Sequence, residues 1–373
     1  MPGTPTFLIG HFEIRPETPE TWSFSALNGF EDCPKRWALS RIEIPCFSGP
    51  IPQKPNKSSL EGTLLHELIE RFEQHSKNPG IVLFRPRKNL LELVALWAKK
   101  NEGNPRIDSK ALAGQVRLEE ILRAFNEAST YVKSEPRYSN SGASPNSFLG
   151  KVFNGSESWL RDPTSKLCGR ADFISAGEIL DFKSGDQHDQ HVDQIIFYGA
   201  LYLAITGRLP NSLRLIYTAT NQTVDVPVPA KLDLETSLNT MRQRAVAFDQ
   251  QIASGDLPAK PAPAKCLFCN VRGLCNDHWA SGQGAIRDGT PRQTLNMDYT
   301  PTATAQIESA ALGAYIRDIL FGVPSLLHLP QEVASAMGGQ ATVIRVLSLR
   351  ANCTTESVSL AFTANSEIYV QTD

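Results

Sequence analysis

The 373-residue sequence lacks any run of about 18 apolar residues, so it predicts no segment that crosses a membrane. Its first residues, MPGTPTFLIGHFEIRPE, contain neither a charged leading region nor a long apolar stretch. They therefore predict no signal peptide and a cytoplasmic protein. An excess of charge of one sign is also missing, since the sequence has 37 Lys and Arg and 39 Asp and Glu, which gives a net charge of −2. General electrostatic attraction to nucleic acid is thereby excluded, and any such contact would depend on local basic patches.

The cysteines do not fit a disulfide framework, because their number, seven, is odd and the chain carries no secretion signal. Cys266, Cys269 and Cys275 have C-x2-C-x5-C spacing, which is typical of a clip for a soft metal or a cluster. Three thiolates leave one ligand position open. Cys46, Cys168 and Cys353 have no such spacing and are interpreted as ordinary small apolar residues.

The hydrophobic pattern predicts a helical first part followed by a mixed sheet. Helices are expected at 22–41, interrupted at Cys33-Pro34, and from Ser59 onward, with a helical insertion at about 86–136. After a loop at 139–147, short strand-like pieces surround a helix at about 189–206, which is the β-α-β order of a mixed sheet. The pieces read FLGKVF, ESWLR, LCGRADFI, EILDFK, SLRLIYTA and TVDVPV. The predicted fold class is α/β.

The last part of the chain predicts a separate, mostly β extension. A long helix at roughly 231–254 leads to the cysteine segment, and residues 281–303 are expected to form a linker. A short helix at 305–320 and three alternating strands follow, which fits a small β-barrel of the oligonucleotide-binding kind. The predicted domains are 1–284 and 285–373.

One stretch, Cys168–Tyr202, concentrates residues suited to catalysis. It predicts a strand with Asp172, a tight turn at Ala176-Gly177, and a second strand with Asp181 and Lys183. Gln194 and Tyr198 follow on one face of a helix.

Phosphodiester hydrolysis needs a metal that acidifies a water and a cation near the transition-state charge. Asp172 and Asp181, with the backbone carbonyl of Phe182, supply oxygen ligands suited to Mg²⁺ or Mn²⁺. Lys183 lies two residues along the strand from Asp181, on the same face. Solvated charges on a surface hairpin are the alternative interpretation of this pattern.

Five motifs in order resemble the PD-(D/E)XK nuclease superfamily, specifically the branch with the RecB and AddB nuclease domains and the CRISPR-associated iron–sulfur exonucleases. They are Gly62-Thr63 with His66 and Glu67, Gly169-Arg170-Ala171-Asp172, Asp181-Phe182-Lys183, Gln194 to Tyr198, and Cys33-Pro34-Lys35-Arg36-Trp37 with the later cysteines. The resemblance implies a restriction-endonuclease-like core, a mixed central sheet flanked by helices. It covers about residues 22–280.

The resemblance also implies roles for individual residues. His66, Asp172 and Asp181 would bind Mg²⁺ or Mn²⁺, Lys183 would be catalytic, and Gln194 and Tyr198 would support the site and contact DNA. His66 alone, a histidine flanked by leucines, would be interpreted as a core residue. Glu157 matches a further family acid, but a solvated strand glutamate fits the sequence equally well.

The family pattern implies that Cys33 completes the cysteine set. Cys33, Cys266, Cys269 and Cys275 would then hold a [4Fe–4S] cluster that ties the first helix to the end of the domain. Zinc is the alternative, because four thiolates also suit tetrahedral Zn²⁺.

The expected function is a metal-dependent, single-strand-directed DNA exonuclease in DNA repair and recombination or in CRISPR-type antiviral defence. No G-x4-G-K-[ST] motif is present, so unwinding of duplex ends would require a helicase or defence-complex partner or melted DNA. The alternative is a non-cleaving DNA-binding adaptor. Intact Asp172, Asp181 and Lys183 favour the enzyme.

Overall fold

The structure is a computed structural model that describes residues 4–77, 83–133, 155–185, 187–218, 220, 222–280, 294–302, 305–310, 313–320, 322–336, 341–354 and 356–372. Its helices are α1 Phe24–Asp32, α2 Pro34–Leu39, α3 Lys57–Lys77, α4 Pro86–Lys100, α5 Ser109–Gly114, α6 Leu118–Lys133, α7 Asp189–Thr206, α8 Lys231–Ser254, α9 Pro263–Leu267, α10 Asn276–Ala280 and α11 Gln331–Ala336. Within these ranges, no helix is long and apolar enough to cross a membrane.

The strands are β1 Thr6–Ile9, β2 Gly155–Arg161, β3 Cys168–Ser175, β4 Glu178–Lys183, β5 Ser212–Tyr217, β6 Gln222–Val226, β7 Thr294–Tyr299, β8 Gln306–Ala310, β9 Gly313–Leu320, β10 Val323–Pro330, β11 Ala341–Cys353, β12 Val358–Ala361 and β13 Glu367–Thr372. The predicted strand FLGKVF and the predicted loop at 139–147 lie outside the described residues.

The chain divides into two compact units, and each is made of separate chain segments. One, called the catalytic-side unit below, comprises 18–28 and 55–251. The other, called the cysteine-side unit, comprises 1–17, 29–54 and 252–373. Residues 252–280 therefore group with the C-terminal strands in this division. The predicted division into domains 1–284 and 285–373 stays a prediction.

The catalytic-side unit is built on a five-stranded mixed sheet with the order β2-β3-β4-β5-β6. Only β4 and β5 pair in parallel, since the helix α7 between them returns the chain to the same end of the sheet. Helices α3, α4 and α6 bury an apolar core against the sheet, centred on residues such as Leu68, Phe125 and Phe173. The predicted α/β fold with a mixed sheet flanked by helices is confirmed.

Local signals explain most helix boundaries in this part of the chain. The Ser23 hydroxyl accepts a hydrogen bond from the amide of Ala26 at 3.2 Å, so Ser23 caps α1. Pro34 is at the start of α2, where a backbone N–H makes no hydrogen bond within the helix. A proline is therefore tolerated there, and it separates α2 from α1. Helices α7 and α8 span 189–206 and 231–254 as predicted. Gly207 ends α7 with a left-handed φ of 70°.

The cysteine-side unit contains an eight-stranded sheet with the order β1-β13-β11-β12-β10-β9-β8, and β7 also pairs with β11. Among the described strands no pair joins β1 to β8, so barrel closure is not seen in this part of the chain. The N-terminal strand β1 lies parallel to the C-terminal strand β13. The apolar residues of this unit, including Ile316, Leu329 and Val346, form a separate core.

Two sequence expectations in this region are wrong. In place of the helix predicted at 305–320, residues 306–310 and 313–320 form β8 and β9, because side chains alternate between buried and exposed along Gly313–Leu320 with the period of a strand. The expected linker at 281–303 contains strand β7 at 294–299, which pairs antiparallel with β11. Alanine and leucine favour a helix by propensity, and tertiary pairing overrides that preference here.

A buried acid fastens the cysteine segment to the strands of its own unit. The Asp298 carboxylate accepts hydrogen bonds from Arg272 Nε at 2.7 Å and from the Ser348 amide at 2.9 Å, and it lies 3.1 Å from His278 Nε2. Burial alone would raise the pKa of Asp298, but the bonds to His278 and Arg272 lower it to about 2.

We expect Asp298 to make the cysteine-side unit acid-sensitive. Its folded pKa lies below the ordinary value of 3.8, so the carboxylate stabilises the fold above about pH 4 and loses that contribution as pH falls towards 2. The loss amounts to about 2 kcal/mol in the free energy of unfolding. Urea titrations of the wild type and Asp298→Asn at pH 6 and pH 2.5 measure this. The difference between the two proteins should be clearly smaller at pH 2.5 than at pH 6, and an equal gap at both pH values would contradict the assignment.

Candidate functional site

The hairpin β3–β4 carries the central carboxylates, and its turn has the predicted form. Ala176 and Gly177 both adopt positive φ, 47° and 84°, as a two-residue turn of type I′ requires. Ladder pairing starts next to this turn and stops at Phe173 with Leu180. Asp172 and Asp181 occupy the next position, where the two strands separate.

A backbone amide holds Asp172 at that separation. Its Oδ2 accepts a hydrogen bond from the Phe182 amide at 2.6 Å, so the side chain replaces a missing ladder bond between the strands. Its other oxygen, Oδ1, lies 3.2 Å from His66 Nδ1. Asp172 is thereby fixed between α3 and β4 and has little freedom to turn.

His66 on α3 brings together two carboxylates. Its Nδ1 lies 3.2 Å from Glu157 Oε1 as well as 3.2 Å from Asp172 Oδ1. One ligand atom from each of these three residues lies within 4.8 Å of the others, and the described residues contain no other such group of three. Imidazole nitrogen and carboxylate oxygen together are a donor set that suits a divalent cation such as Mn²⁺.

The electrostatics of this cluster favour a positive charge. Burial alone would lower the pKa of His66, but the carboxylates of Asp172 and Glu157 raise it to about 10. The ring therefore holds a proton between two anions at neutral pH. A proton on His66 and a divalent cation would compete for the same electrostatic position.

Glu157 was left open by the sequence, and the structure places it in this cluster. On β2 it lies between Ser156 and Ser158, whose partners Phe173 and Ala171 flank Asp172, and it has a left-handed φ of 53°, a strained conformation for glutamate. Arg170 Nε contacts its Oε2 at 2.5 Å. The β2–β3 connection is not a tight turn, so the sequence could not fix the register that aligns the two acids.

Asp181 and Lys183 lie beside this cluster, joined to each other. Asp181 is 2% exposed, and its Oδ2 is 2.5 Å from Lys183 Nζ. Burial and the neighbouring Asp172 charge raise the pKa of Asp181 to about 7, against the opposite influence of Lys183. The described geometry therefore pairs Asp181 with the lysine rather than placing it among the three converging ligand atoms. The backbone carbonyl of Phe182, predicted as a further ligand, lies between these two residues in the chain.

A hydrogen-bonded chain continues from Lys183 to α7. Lys183 Nζ donates to Gln194 Oε1 at 2.8 Å, and Gln194 Nε2 donates to Tyr198 Oη at 2.6 Å. Burial raises the pKa of Tyr198, so its hydroxyl stays protonated. The residues four apart on α7 thus orient the lysine ammonium, as their spacing on one helix face predicts.

Glycine is needed at the first position of the Gly169-Arg170-Ala171-Asp172 motif for a steric reason. A Cβ atom on Gly169 would lie 2.7 Å from the ring of Tyr198. Only glycine lets this ring lie against β3.

We therefore expect Gly169→Ala to displace Tyr198 and destabilise the protein by about 1–3 kcal/mol. Thermal unfolding measures the loss of stability. Gly103→Ala is the matched control, because a Cβ there meets nothing within 4 Å. Equal melting temperatures for the two variants would show that the ring does not need this space.

A second group of side chains, the cysteine pocket, lies in the cysteine-side unit. Cys33, Cys266, Cys269 and Cys275 all line one pocket. The Cys33 sulfur accepts hydrogen bonds from the amides of Arg36 and Lys260, at 3.4 and 3.5 Å. Burial, and after it the neighbouring cysteines, raise the pKa of Cys269 to about 11. The three remaining cysteines do not line this pocket.

Comparison with known proteins gives one result. No curated protein matches the sequence. A sequence profile of the PD-(D/E)XK nuclease superfamily matches residues 21–276, about two thirds of the chain. This span includes the hairpin, α3, α7 and all four cysteines of the pocket. The chain therefore belongs to the PD-(D/E)XK nuclease superfamily.

Proposed function

We infer that the protein is a Mg²⁺- or Mn²⁺-dependent deoxyribonuclease that acts on single-stranded DNA, most simply as an exonuclease. The observation that carries this proposal is the convergence of His66, Glu157 and Asp172 at the open end of the hairpin that also bears Asp181 and Lys183. Superfamily membership supplies the reaction class. The proposed branch is that of the RecB and AddB nuclease domains.

His66, Glu157 and Asp172 would hold the cation, with Asp181 and the Phe182 carbonyl as further oxygen ligands. A bound Mg²⁺ or Mn²⁺ would polarise the phosphate and lower the pKa of a water. Asp172 is positioned by the Phe182 amide, and Glu157 by Arg170, so two of the ligands are already oriented.

Lys183 would stabilise the negative charge that develops on the phosphate. Its ammonium lies 2.5 Å from Asp181 Oδ2 and donates a hydrogen bond to Gln194 Oε1, and it would donate to a phosphate oxygen as well. Gln194 is fixed in turn by Tyr198, so the lysine needs little reorganisation during the reaction. This arrangement supports catalysis more directly than a purely binding role.

We further infer a [4Fe–4S] cluster on Cys33, Cys266, Cys269 and Cys275. Two amides directed at the Cys33 sulfur, and the Ala262 amide at 3.4 Å from the Cys266 sulfur, suit cluster-bound thiolates. Zn–S bonds of about 2.3 Å would bring four sulfurs to about 3.8 Å from each other. No three sulfurs of this described pocket lie within 4.8 Å of one another, so they are farther apart than the thiolates of such a zinc site.

The test is cleavage of end-labelled single-stranded and duplex DNA with Mg²⁺, Mn²⁺ or EDTA. We expect metal-dependent cleavage of the single strand, with mononucleotides or short fragments released from an end. Binding without cleavage under every metal condition would favour the adaptor alternative. Strong cleavage of blunt duplex DNA would remove the need for a helicase or defence-complex partner.

A further inference from the structure

An exposed tryptophan lies next to the proposed catalytic cluster. Trp159 is on β2, two residues after Glu157, and is 49% exposed. Two residues along a strand correspond to about 6.6 Å. About half of this large aromatic side chain is therefore open to a ligand from solution. No role in the chemistry described above uses this residue.

Two arginines flank the ring. Arg161 Cζ lies 5.5 Å from the ring centroid of Trp159, and Arg170 Cζ lies 5.9 Å from it. Arg170 is directly opposite Trp159 in the β2–β3 ladder. Among the described residues Arg161 has no carboxylate partner, so its guanidinium is available to an anion from outside the protein. The surface thus combines an aromatic face with positive charge, although the whole chain has a net charge of −2.

The same surface continues into the metal-ligand cluster. Arg170 contacts Glu157 as well as the tryptophan ring, and both Arg170 and Glu157 line a cleft of about 670 Å³ together with His66. A strand whose phosphate lies at a cation held by His66 and Glu157 could place a neighbouring unit at Trp159, which is about 6.6 Å along β2 from Glu157. This continuity distinguishes Trp159 from the other exposed apolar residues of the unit.

We propose that Trp159, Arg161 and Arg170 form a subsite for single-stranded nucleic acid, in which a base stacks on Trp159 and the arginines bind the flanking phosphates. The inference rests on the proposed nuclease function and names the residues that select a single strand. In a duplex the base faces are covered by their neighbours, whereas an unpaired base can stack on an aromatic ring. Arginines beside the ring add phosphate contacts that do not depend on sequence.

The test measures binding separately from cleavage. Fluorescence anisotropy with a labelled oligothymidylate of about ten nucleotides, in EDTA, reports affinity without hydrolysis. We expect Trp159→Ala to weaken binding about tenfold and Trp159→Phe to recover most of it. Arg161→Ala should lower the slope of log K against log salt by about 0.7, the value for one phosphate contact with a single strand. Arg170 is left unchanged, because its loss would also free Glu157.

Val246→Ala and Arg208→Ala are matched controls, since both positions are exposed and lie elsewhere in the same unit. The controls should bind like the wild type, and melting temperatures should be equal throughout. Unchanged binding by Trp159→Ala, while the wild type binds and cleaves, would overturn this subsite and leave the nuclease function standing. Equal losses on single-stranded and duplex DNA would also overturn it. A wild type that neither binds nor cleaves would refute both proposals.

Discussion

Replacing Lys183 with alanine should slow phosphodiester cleavage by about 10³-fold, because it removes a positioned donor from the developing phosphate charge. The ammonium is held between Asp181 and Gln194, so the wild-type site needs no rearrangement to use it. Single-turnover cleavage of labelled DNA with Mn²⁺ measures the rate. Affinity in EDTA should stay close to that of the wild type, since the lysine is mostly buried.

Lys231→Ala is the matched control for this experiment. Lys231 lies on α8 of the same unit, is 63% exposed, and pairs with Glu235 on its own helix. It should cleave at the wild-type rate. If Lys183→Ala also cleaves at that rate, the lysine has no part in catalysis. If neither the wild type nor Lys183→Ala cleaves while both bind DNA, the protein acts as an adaptor.

Replacing Cys33 with serine should remove the visible absorbance of the iron–sulfur cluster and lower the melting temperature of the protein strongly. A bound cluster adds its binding free energy to folding, and loss of one thiolate weakens that contribution. The cluster would also close the chain from Cys33 to Cys266, which restricts the unfolded state. Absorbance and iron content measure the loss of the cluster, and thermal unfolding measures the loss of stability, on one sample.

Cys46→Ser is the control, because Cys46 is exposed and lies outside the cysteine pocket. It should keep colour and iron. A colourless wild type with one zinc per chain would show that the pocket binds zinc instead. Iron and colour that persist in Cys33→Ser would show that this cysteine is not a ligand.

The sequence predicted the hairpin well, because its signals are local. Ala176-Gly177 between two strands of matching pattern fixes a two-residue turn, and that turn determines the positions of Asp172 and Asp181. Gln194 and Tyr198 follow from helical spacing alone. The physical role of Gly169 was not readable, because it depends on the ring of Tyr198, which approaches from a different element.

Features that depend on distant pairing were missed or left open. Glu157 is placed beside His66 and Asp172 by the β2–β3 register. No short turn connects these two strands, so the sequence could not predict that register. The segment 305–320 has the alanine and leucine content of a helix, yet residues 306–310 and 313–320 are held extended by their neighbours in the sheet. The pairing of β1 with β13 joins residues from opposite ends of the sequence, and no local pattern encodes it.

That parallel pair also determines when the cysteine-side unit can be completed as the chain is synthesised. Strand β1 is made before the catalytic-side unit and its partner β13 after it, so Phe7 and its neighbours stay without their sheet partner while the intervening chain is synthesised. The catalytic-side unit, which ends at Gln251, emerges entirely within that interval. An unpaired strand edge is open to wrong pairing until its partner arrives. Nascent chains are therefore exposed to misassembly at their N-terminal strand even after the hairpin and its carboxylates have folded.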